Sequence, residues 1–363
     1  MSDFETPVRL GVVGLGFMGR THATNAAELG HEVVAGADLS EEARAAFAET
    51  FDAETYEGFE AMYDAAALDA VAVATPNAVH EPAVVAALER GYDVLCEKPL
   101  ADDLEGAERI AAAAAEADAF CAVNFHNRIS TAAEVFTDYR REGYFGEITH
   151  VEANYVRRRG IPGVGSWFTE ADLSGGGAVV DIGVHAIDFA LYLMDFPDVE
   201  EVFAVTRTEF GDRDDYVDPG DWYDETEAAV FDVEDSATAM IRCADDRTIS
   251  LEVAWAANQS ESQEFVVRGT EAGATLELGG EKLTLHRSGR QGTDHNLDAT
   301  LTEGSIDRTG WEGSDERFLE AVAAGEGRPP DGNTVQRALT VQRVIDAVYR
   351  SAEQGRSVSV PLE

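Results

Sequence analysis

The first third of the chain is built from short unbroken apolar runs separated by segments with helical periodicity. Val8 to Val13 is such a run and ends at Gly14; the helical pattern that follows extends through Leu29. Glu32 to Ala37 is the next run and ends at Asp38. Ala70 to Ala74, Tyr92 to Cys96 and Ala119 to Val123 continue the series, with helical stretches over Val79 to Arg90 and Leu104 to Ala117 between them. Strands that are apolar throughout belong to sheets covered on both faces, so alternating them with helices predicts a doubly wound parallel sheet.

Beyond Asn124 the period changes. A helix is expected over Thr131 to Arg141. Strands follow over Ile148 to Val156, Val199 to Thr208, Glu225 to Val233, Ser236 to Cys243, Thr248 to Ala254, Glu264 to Gly269, Ala274 to Leu278 and Lys282 to His286. Tight polar turns such as Asp245-Asp246 imply antiparallel hairpins. Gly175-Gly176-Gly177 interrupts the series and leads through Asp181 into a helix ending near Met194, with Ile187, Leu191 and Met194 on one buried face. Residues 210–224 read as an acidic loop and 287–310 as a long polar loop or lid. Helices over Trp311 to Ala324 and Val335 to Ala352 and a strand over Arg356 to Val360 complete the chain. The expected architecture is an α/β Rossmann domain over residues 1–124 and an α+β domain with an open, mainly antiparallel sheet over 125–363, its last helix able to pack back on the first domain. A chain of 363 residues exceeds one ordinary core, which agrees with two domains.

Charge changes the picture in one respect. There are 70 acidic side chains against 27 basic ones, a net charge of -43, yet 45% of the residues are hydrophobic. Disordered chains lack that much apolar content. The acids are spread along the whole sequence, as on a halophile-type surface whose self-repulsion is tolerated only when salt screens it. Such a charge repels a phosphate backbone and argues against nucleic acid. The acidic start at Met1 has no signal-peptide pattern, and no membrane span is expected from the apolar stretches, so a cytoplasmic protein is expected. Cys96, Cys121 and Cys243 lack metal-ligand spacing; no metal is expected.

Of the 27 basic residues only Lys98 and Lys282 are lysines. Their near-elimination makes Lys98, inside Glu97-Lys98-Pro99 directly after a strand, a candidate for chemistry. The cradle upstream is Gly14-Leu15-Gly16-Phe17-Met18-Gly19. Its glycines allow a tight turn, close approach of a pyrophosphate and close helix packing, and the helix start supplies free amides. Asp38, 19 residues after Gly19, is placed to accept from a ribose 2′-hydroxyl. With no arginine adjacent to Asp38, NAD is favoured over NADP; Arg44, one turn on, reads as a solvated helix residue. Loops at the carboxyl ends of the strands bring Thr75, Pro76, Asn77, Glu97, Lys98, Asn124 and His126 toward the cofactor. Asp181 and His185 are four apart, as on one helical face. A helix-start acid and a packed histidine, with Asp188 three residues on as a partner for it, is the simpler structural alternative.

Taken together, Gly14, Gly16 and Gly19, Thr75-Pro76-Asn77 with His80, Glu97-Lys98-Pro99 and the run from Gly175 to His185 resemble the glucose–fructose oxidoreductase / inositol dehydrogenase / rhizopine-catabolism (Gfo/Idh/MocA) family. The resemblance implies hydride transfer between NAD(P) and a CH–OH group of a sugar, inositol or related polyol. It assigns Lys98 to the substrate hydroxyl and cofactor ribose, His185 to the general base and Asp181 to holding the substrate, with a homodimer or homotetramer built on the open sheet. Phe17, Met18 and His80 join the expected cofactor contacts. Asn124, His126, Arg128, Arg157 and Trp167 join Asp181 and His185 as candidate substrate contacts. The basic and aromatic stretch from Arg157 to Trp167 is either a lid or a subunit contact. Two alternatives stand beside the dehydrogenase: an enzyme using bound NAD transiently, in glycoside cleavage or dismutation, and a non-catalytic sugar sensor. A cis Lys98-Pro99 peptide is also expected.

Overall fold

A computed structural model describes residues 7–361, except 164–165, 214, 218–229, 302–303, 305, 307 and 330–331. The chain divides into two compact units. One contains residues up to His126 together with Trp311–Gln342; the other contains Asn127–Gly310 and Arg343–Glu363.

In the first unit, strands β1 (Arg9–Val13), β2 (Glu32–Ala37), β3 (Glu54–Tyr56), β4 (Ala70–Val73), β5 (Asp93–Cys96) and β6 (Cys121–Val123) form a sheet of order β3-β2-β1-β4-β5-β6. Every pairing in it is parallel. The order reverses between β1 and β4, and in such sheets the crevice at the reversal, beyond the strand carboxyl ends, is where ligands bind. Helices α1 (Phe17–Glu28), α2 (Glu41–Phe51), α3 (Phe59–Ala65), α4 (His80–Leu88) and α5 (Leu104–Glu116) connect the strands. Ser40 caps α2 by accepting from Ala43 N–H, and Asp103 caps α5 by accepting from Gly106 N–H, which explains why these helices begin where they do. The sequence pattern missed β3 and α3, which are too short to show periodicity.

The core of this unit packs Leu10, Val12, Leu15, Ala72 and Leu95 against Phe318 and Leu319. The last two lie on a later helix (Gly310–Ala324), so a segment nearly 200 residues downstream of β6 completes the nucleotide-type fold. Phe120 and Phe318 meet edge to face at 5.8 Å.

The second unit is a nine-stranded sheet. Its strands are β7 (Ile148–Val156), β8 (Val199–Arg207), β9 (Ser236–Cys243), β10 (Thr248–Ala254), β11 (Glu264–Gly269), β12 (Gly273–Glu277), β13 (Leu283–Gly289), β14 (His295–Thr300) and β15 (Val358–Ser359), in the order β14-β13-β12-β11-β7-β10-β9-β8-β15. All neighbours are antiparallel except β7 and β10. The β9–β10 hairpin turns through Asp245 and Asp246, both at positive φ (59° and 58°), as a two-residue turn of primed type requires. Strand β14 lies within the stretch expected to be a loop. Its residues are almost all exposed, so no alternation marks it, and backbone pairing with β13 alone makes it a strand. The strand expected over Glu225–Val233 falls mostly outside the described residues, and 230–233 form no strand.

Four helices belong wholly or partly to this unit or follow it: α6 (Thr131–Arg141), α7 (Ala171–Ser174), α8 (Val184–Leu193) and, after α9 (Gly310–Ala324), the carboxyl-terminal part of α10 (Val335–Gln354). A wider π turn over Val179–Gly183 leads into α8. Contrary to expectation, one segment, Ala171–Leu193, is long and apolar enough to cross a membrane. It is 89% buried inside the protein, which fits a core helix packed on β7 and β10.

Candidate active site

In the first unit the candidate nucleotide site is the turn after β1. Gly14 has φ +87°, and a Cβ there would sit 2.5 Å from the carbonyl oxygen of Ala74. A Cβ on Gly19 would lie 1.8 Å from the carbonyl oxygen of Gly14. Both glycines are therefore demanded by the chain's own packing. Gly16 differs: a Cβ there would meet nothing within 4 Å. Open space above Gly16, together with an α1 amino terminus that no side chain caps and no acid crowds, is what an approaching pyrophosphate needs. Phe17, 68% exposed, stands at the rim. Thr75 Oγ1 is buried and has no hydrogen-bond partner among the described residues, leaving a polar atom for a ligand at the β4 loop.

Asp38 ends β2 as expected. Its Oδ2 accepts from Leu15 N–H at 2.8 Å and its Oδ1 from Ser40 N–H at 2.8 Å. Each oxygen keeps a lone pair for a ribose hydroxyl. Arg44 is half-buried, and its Nη1 donates to the carbonyls of Asp38 and Leu39 at 2.7 and 2.9 Å. These features fit a dinucleotide, with Gly14, Gly16 and Gly19 cradling its phosphates and Asp38 at the adenosine ribose.

Several expected cofactor contacts sit behind the crevice. His80 has no exposed surface. Its Nδ1 lies 2.9 Å from Pro99 O and its Nε2 3.0 Å from Thr75 O, so it sits between the two cofactor-side loops, and as a neutral ring it donates to one of these carbonyls. Burial lowers its pKa. Asn77 is also buried. The Lys98-Pro99 peptide is cis. Glu97 points inward, where its Oε1 accepts from Asn124 Nδ2 at 2.7 Å and lies 3.0 Å from His22 Nε2. Asn124, expected at the substrate, is fully buried in this cluster. His126 packs at a tilt against Trp311 with ring centroids 5.1 Å apart, and burial pushes it down to about 4, so it is a neutral imidazole at working pH.

The candidate acid–base residues Asp181 and His185 belong to the second unit. Gly175-Gly176-Gly177 lets the chain pass tightly into the π turn. A Cβ on Gly176 would lie 2.0 Å from the Tyr349 hydroxyl, and one on Gly177 would lie 1.9 Å from Glu234 O. Glu234 then holds the turn: its carboxylate accepts from the N–H groups of Gly177 and Val179 and from Tyr349 Oη at 3.0 Å. Burial raises Glu234 in spite of these donors. Asp181 sits in the π turn and accepts from Trp255 Nε1–H at 2.9 Å. His185 follows on α8, buried at 7% exposure. Because a π turn intervenes, the two are not related by ordinary α-helical spacing; π bulges recur at functional sites because they redirect a side chain.

Arg128 is placed differently from expectation. It is buried at 4% exposure, forms a two-pronged ion pair with Asp188, and lies over the rings of Tyr192 and Phe196. A guanidinium so engaged braces α8 and is not a substrate contact, and Asp188, weighed as a partner for His185, pairs with Arg128. The three arginines 157–159 separate in role. Arg157 turns inward and donates to Gly160 O and Tyr155 Oη; burial opposes its charge, but Asp181, Tyr155 and Glu261 together raise its pKa. Arg158 is exposed. Arg159 staples neighbouring loops through Val217 O, Ala257 O and Asn258 Oδ1. Trp167 stacks on Phe168 at 3.9 Å.

His22, Asn25, Asp315, Trp255 and Glu234 escaped the sequence reading. A histidine three residues after a glycine cradle was the one signal available for the first group; nothing local marks the others.

Two family models match the chain: the oxidoreductase family with NAD-binding Rossmann fold over residues 8–125, and the GFO/IDH/MocA carboxyl-terminal domain over 137–275. The chain belongs to the Gfo/Idh/MocA oxidoreductase family. It is 30% identical over 368 residues to D-glucoside 3-dehydrogenase of Escherichia coli (strain K12), spanning 98% of each chain. It is 28% identical over 365 residues to D-xylose 1-dehydrogenase (NADP(+)) 2 of Haloferax volcanii, covering 97% of this chain and 98% of that one. Its fold matches levoglucosan dehydrogenase in complex with NADH at a TM-score of 0.83, with 24% identity over 98% of this chain and 100% of that one. As a member of this family the chain is an NAD(P)-dependent oxidoreductase.

Proposed function

We propose that this oxidoreductase is a dehydrogenase of a neutral sugar or glycoside, acting at a ring CH–OH. The observation that carries the reading is end-to-end similarity to a D-glucoside 3-dehydrogenase, across both units, in a chain that has Lys98, Asp181 and His185. The nicotinamide, when bound, supplies the hydride acceptor. The chain's own part is proton handling and positioning. His185 takes the hydroxyl proton, the general-base role to which an imidazole is suited. Lys98 Nζ stabilises the developing alkoxide as a fixed cation. Asp181, held by Trp255, accepts from a second substrate hydroxyl. Arg157 is compensated by Asp181 and Tyr155, which favours an uncharged substrate over a uronic acid. The reading includes a cytoplasmic homo-oligomer with a salt-adapted surface.

The test is purified protein in concentrated KCl with NAD or NADP and a panel of methyl glucosides, D-xylose, levoglucosan, inositols and glucuronate, read as absorbance of reduced cofactor. Turnover with a neutral member, cut about 100-fold or more in K98M and H185N, is expected. Undiminished rates in either variant, or turnover with glucuronate alone, overturn it.

A further inference from the structure

The nucleotide unit contains a buried ionic chain that lies behind Lys98. His22 Nδ1 is 2.7 Å from Asp315 Oδ1 and His22 Nε2 is 3.0 Å from Glu97 Oε1. The histidine side chain is 2% exposed and the two carboxylates 3% and 8%. An imidazole with a carboxylate on each nitrogen donates from both, so it is an imidazolium between two anions. Burial would lower its pKa, but the paired carboxylates raise it to about 10. The remaining oxygens are also committed. Asn25 Nδ2 donates to Asp315 Oδ2 at 2.6 Å, Asn124 Nδ2 donates to Glu97 Oε1 at 2.7 Å, and Glu97 Oε2 accepts the backbone N–H of Lys98 at 3.2 Å.

Stability alone does not account for such a cluster, because well-packed apolar residues in place of buried ions are often neutral or stabilising. What it does is fix a backbone. One end is anchored on α9, the middle on α1 directly after the glycine cradle, and the other end on the peptide that carries Lys98. His80 grips the far side of the same loop through Pro99 O. The Lys98 segment is thus held from both flanks by buried histidines, and the cradle and the lysine share one rigid support.

We propose that the Asp315–His22–Glu97 chain is a positioning device, with His22 as the positioning residue that sets the orientation of the Lys98 ammonium for hydride transfer. The proposal rests on the reading of Lys98 as the residue that stabilises the alkoxide.

The test uses the full-length protein in concentrated KCl. In H22Q, amide hydrogen exchange is expected to rise in the peptide covering residues 96–101 while β1 and β4 stay protected. With the best substrate of the panel, kcat is expected to fall about tenfold or more, since small misplacement of a catalytic group is costly, with NADH affinity within about threefold of wild type. The decisive readout is a double-mutant cycle with K98M: adding H22Q to K98M is expected to change the residual rate less than about twofold. Full additivity, unchanged exchange at 96–101, or a rise spread over the whole unit each overturn the proposal. If H22Q does not fold, D315N carries the same test, with the same cycle and the same overturning results. Wild-type turnover in K98M alone overturns the reading of Lys98 and is seen before any His22 variant is made.

Discussion

The indole of Trp255 donates to Asp181 across 74 residues of sequence, at 2.9 Å. Trp255 is fully buried just beyond β10, so a strand end of the sheet orients an acid in the π turn. In W255F the ring volume is nearly kept but the donor is lost. Turnover is expected to fall about tenfold, because a hydrogen bond to a charged group contributes roughly 1.5–3 kcal/mol, with cofactor affinity unchanged. Steady-state kinetics beside NADH binding separates the two effects.

The glycine cradle makes a sharper distinction. A side chain at Gly16 meets nothing of the protein, whereas one at Gly19 strikes the Gly14 carbonyl. G16A is therefore expected to melt within about 2 °C of wild type yet bind NADH at least tenfold more weakly; a methyl here obstructs only the ligand. G19A is expected to lose both stability and binding. Thermal melting with NADH titration checks the pair, and equal binding by G16A and wild type counts against a phosphate seated over that turn.

Arg128 and Asp188 are each almost wholly buried, and removing one leaves the other as an uncompensated charge. R128A is expected to cost about 3–5 kcal/mol in denaturant unfolding, while R128M combined with D188L costs markedly less. If the double variant is as damaged as the single, the pair is contributing packing and not charge compensation.

The His22 cluster predicts how the nucleotide unit responds to pH. His22 is raised from 6.5 to about 10, so its contribution is complete below about pH 6.5 and declines as pH climbs to about 10. Glu97 is opposed by burial but lowered from 4.5 to about 2 by His22, then Lys98 and Asn124. Its contribution is complete above about pH 4.5 and disappears as pH falls to about 2. Melting temperature across pH 3–11 in wild type and H22Q is the measurement. The wild-type advantage is expected to be largest between those limits and to shrink toward pH 10; a constant difference across the alkaline range contradicts the assignment.

A net charge of -43 on a folded chain predicts dependence on salt. Circular dichroism and activity are expected to weaken below roughly 0.5 M KCl and recover on adding salt, because screening lengthens as salt falls. Full structure and activity in dilute buffer speak against a salt-adapted surface.

The alternation of apolar runs and helices around Gly14, Gly16 and Gly19 was legible because the strands are buried on both faces and the turn chemistry is local. Asp38, the Lys98-Pro99 segment and the β9–β10 hairpin were legible for the same reason: each is decided within a few residues. Where no hydrophobic pattern exists, the sequence was silent, as for the exposed β14 and the three-residue β3.

The chain by itself determined the nucleotide turn and the strand–helix order, since periodicity and glycine stereochemistry act over short distances. Only the tertiary structure decided partners. It gave Asp188 to Arg128, Asp181 to Trp255, and His22 to both Glu97 and Asp315, the last 293 residues away. Pairing of buried charges depends on which side chains are excluded from water together, and that is settled by packing of distant segments, which no local pattern encodes.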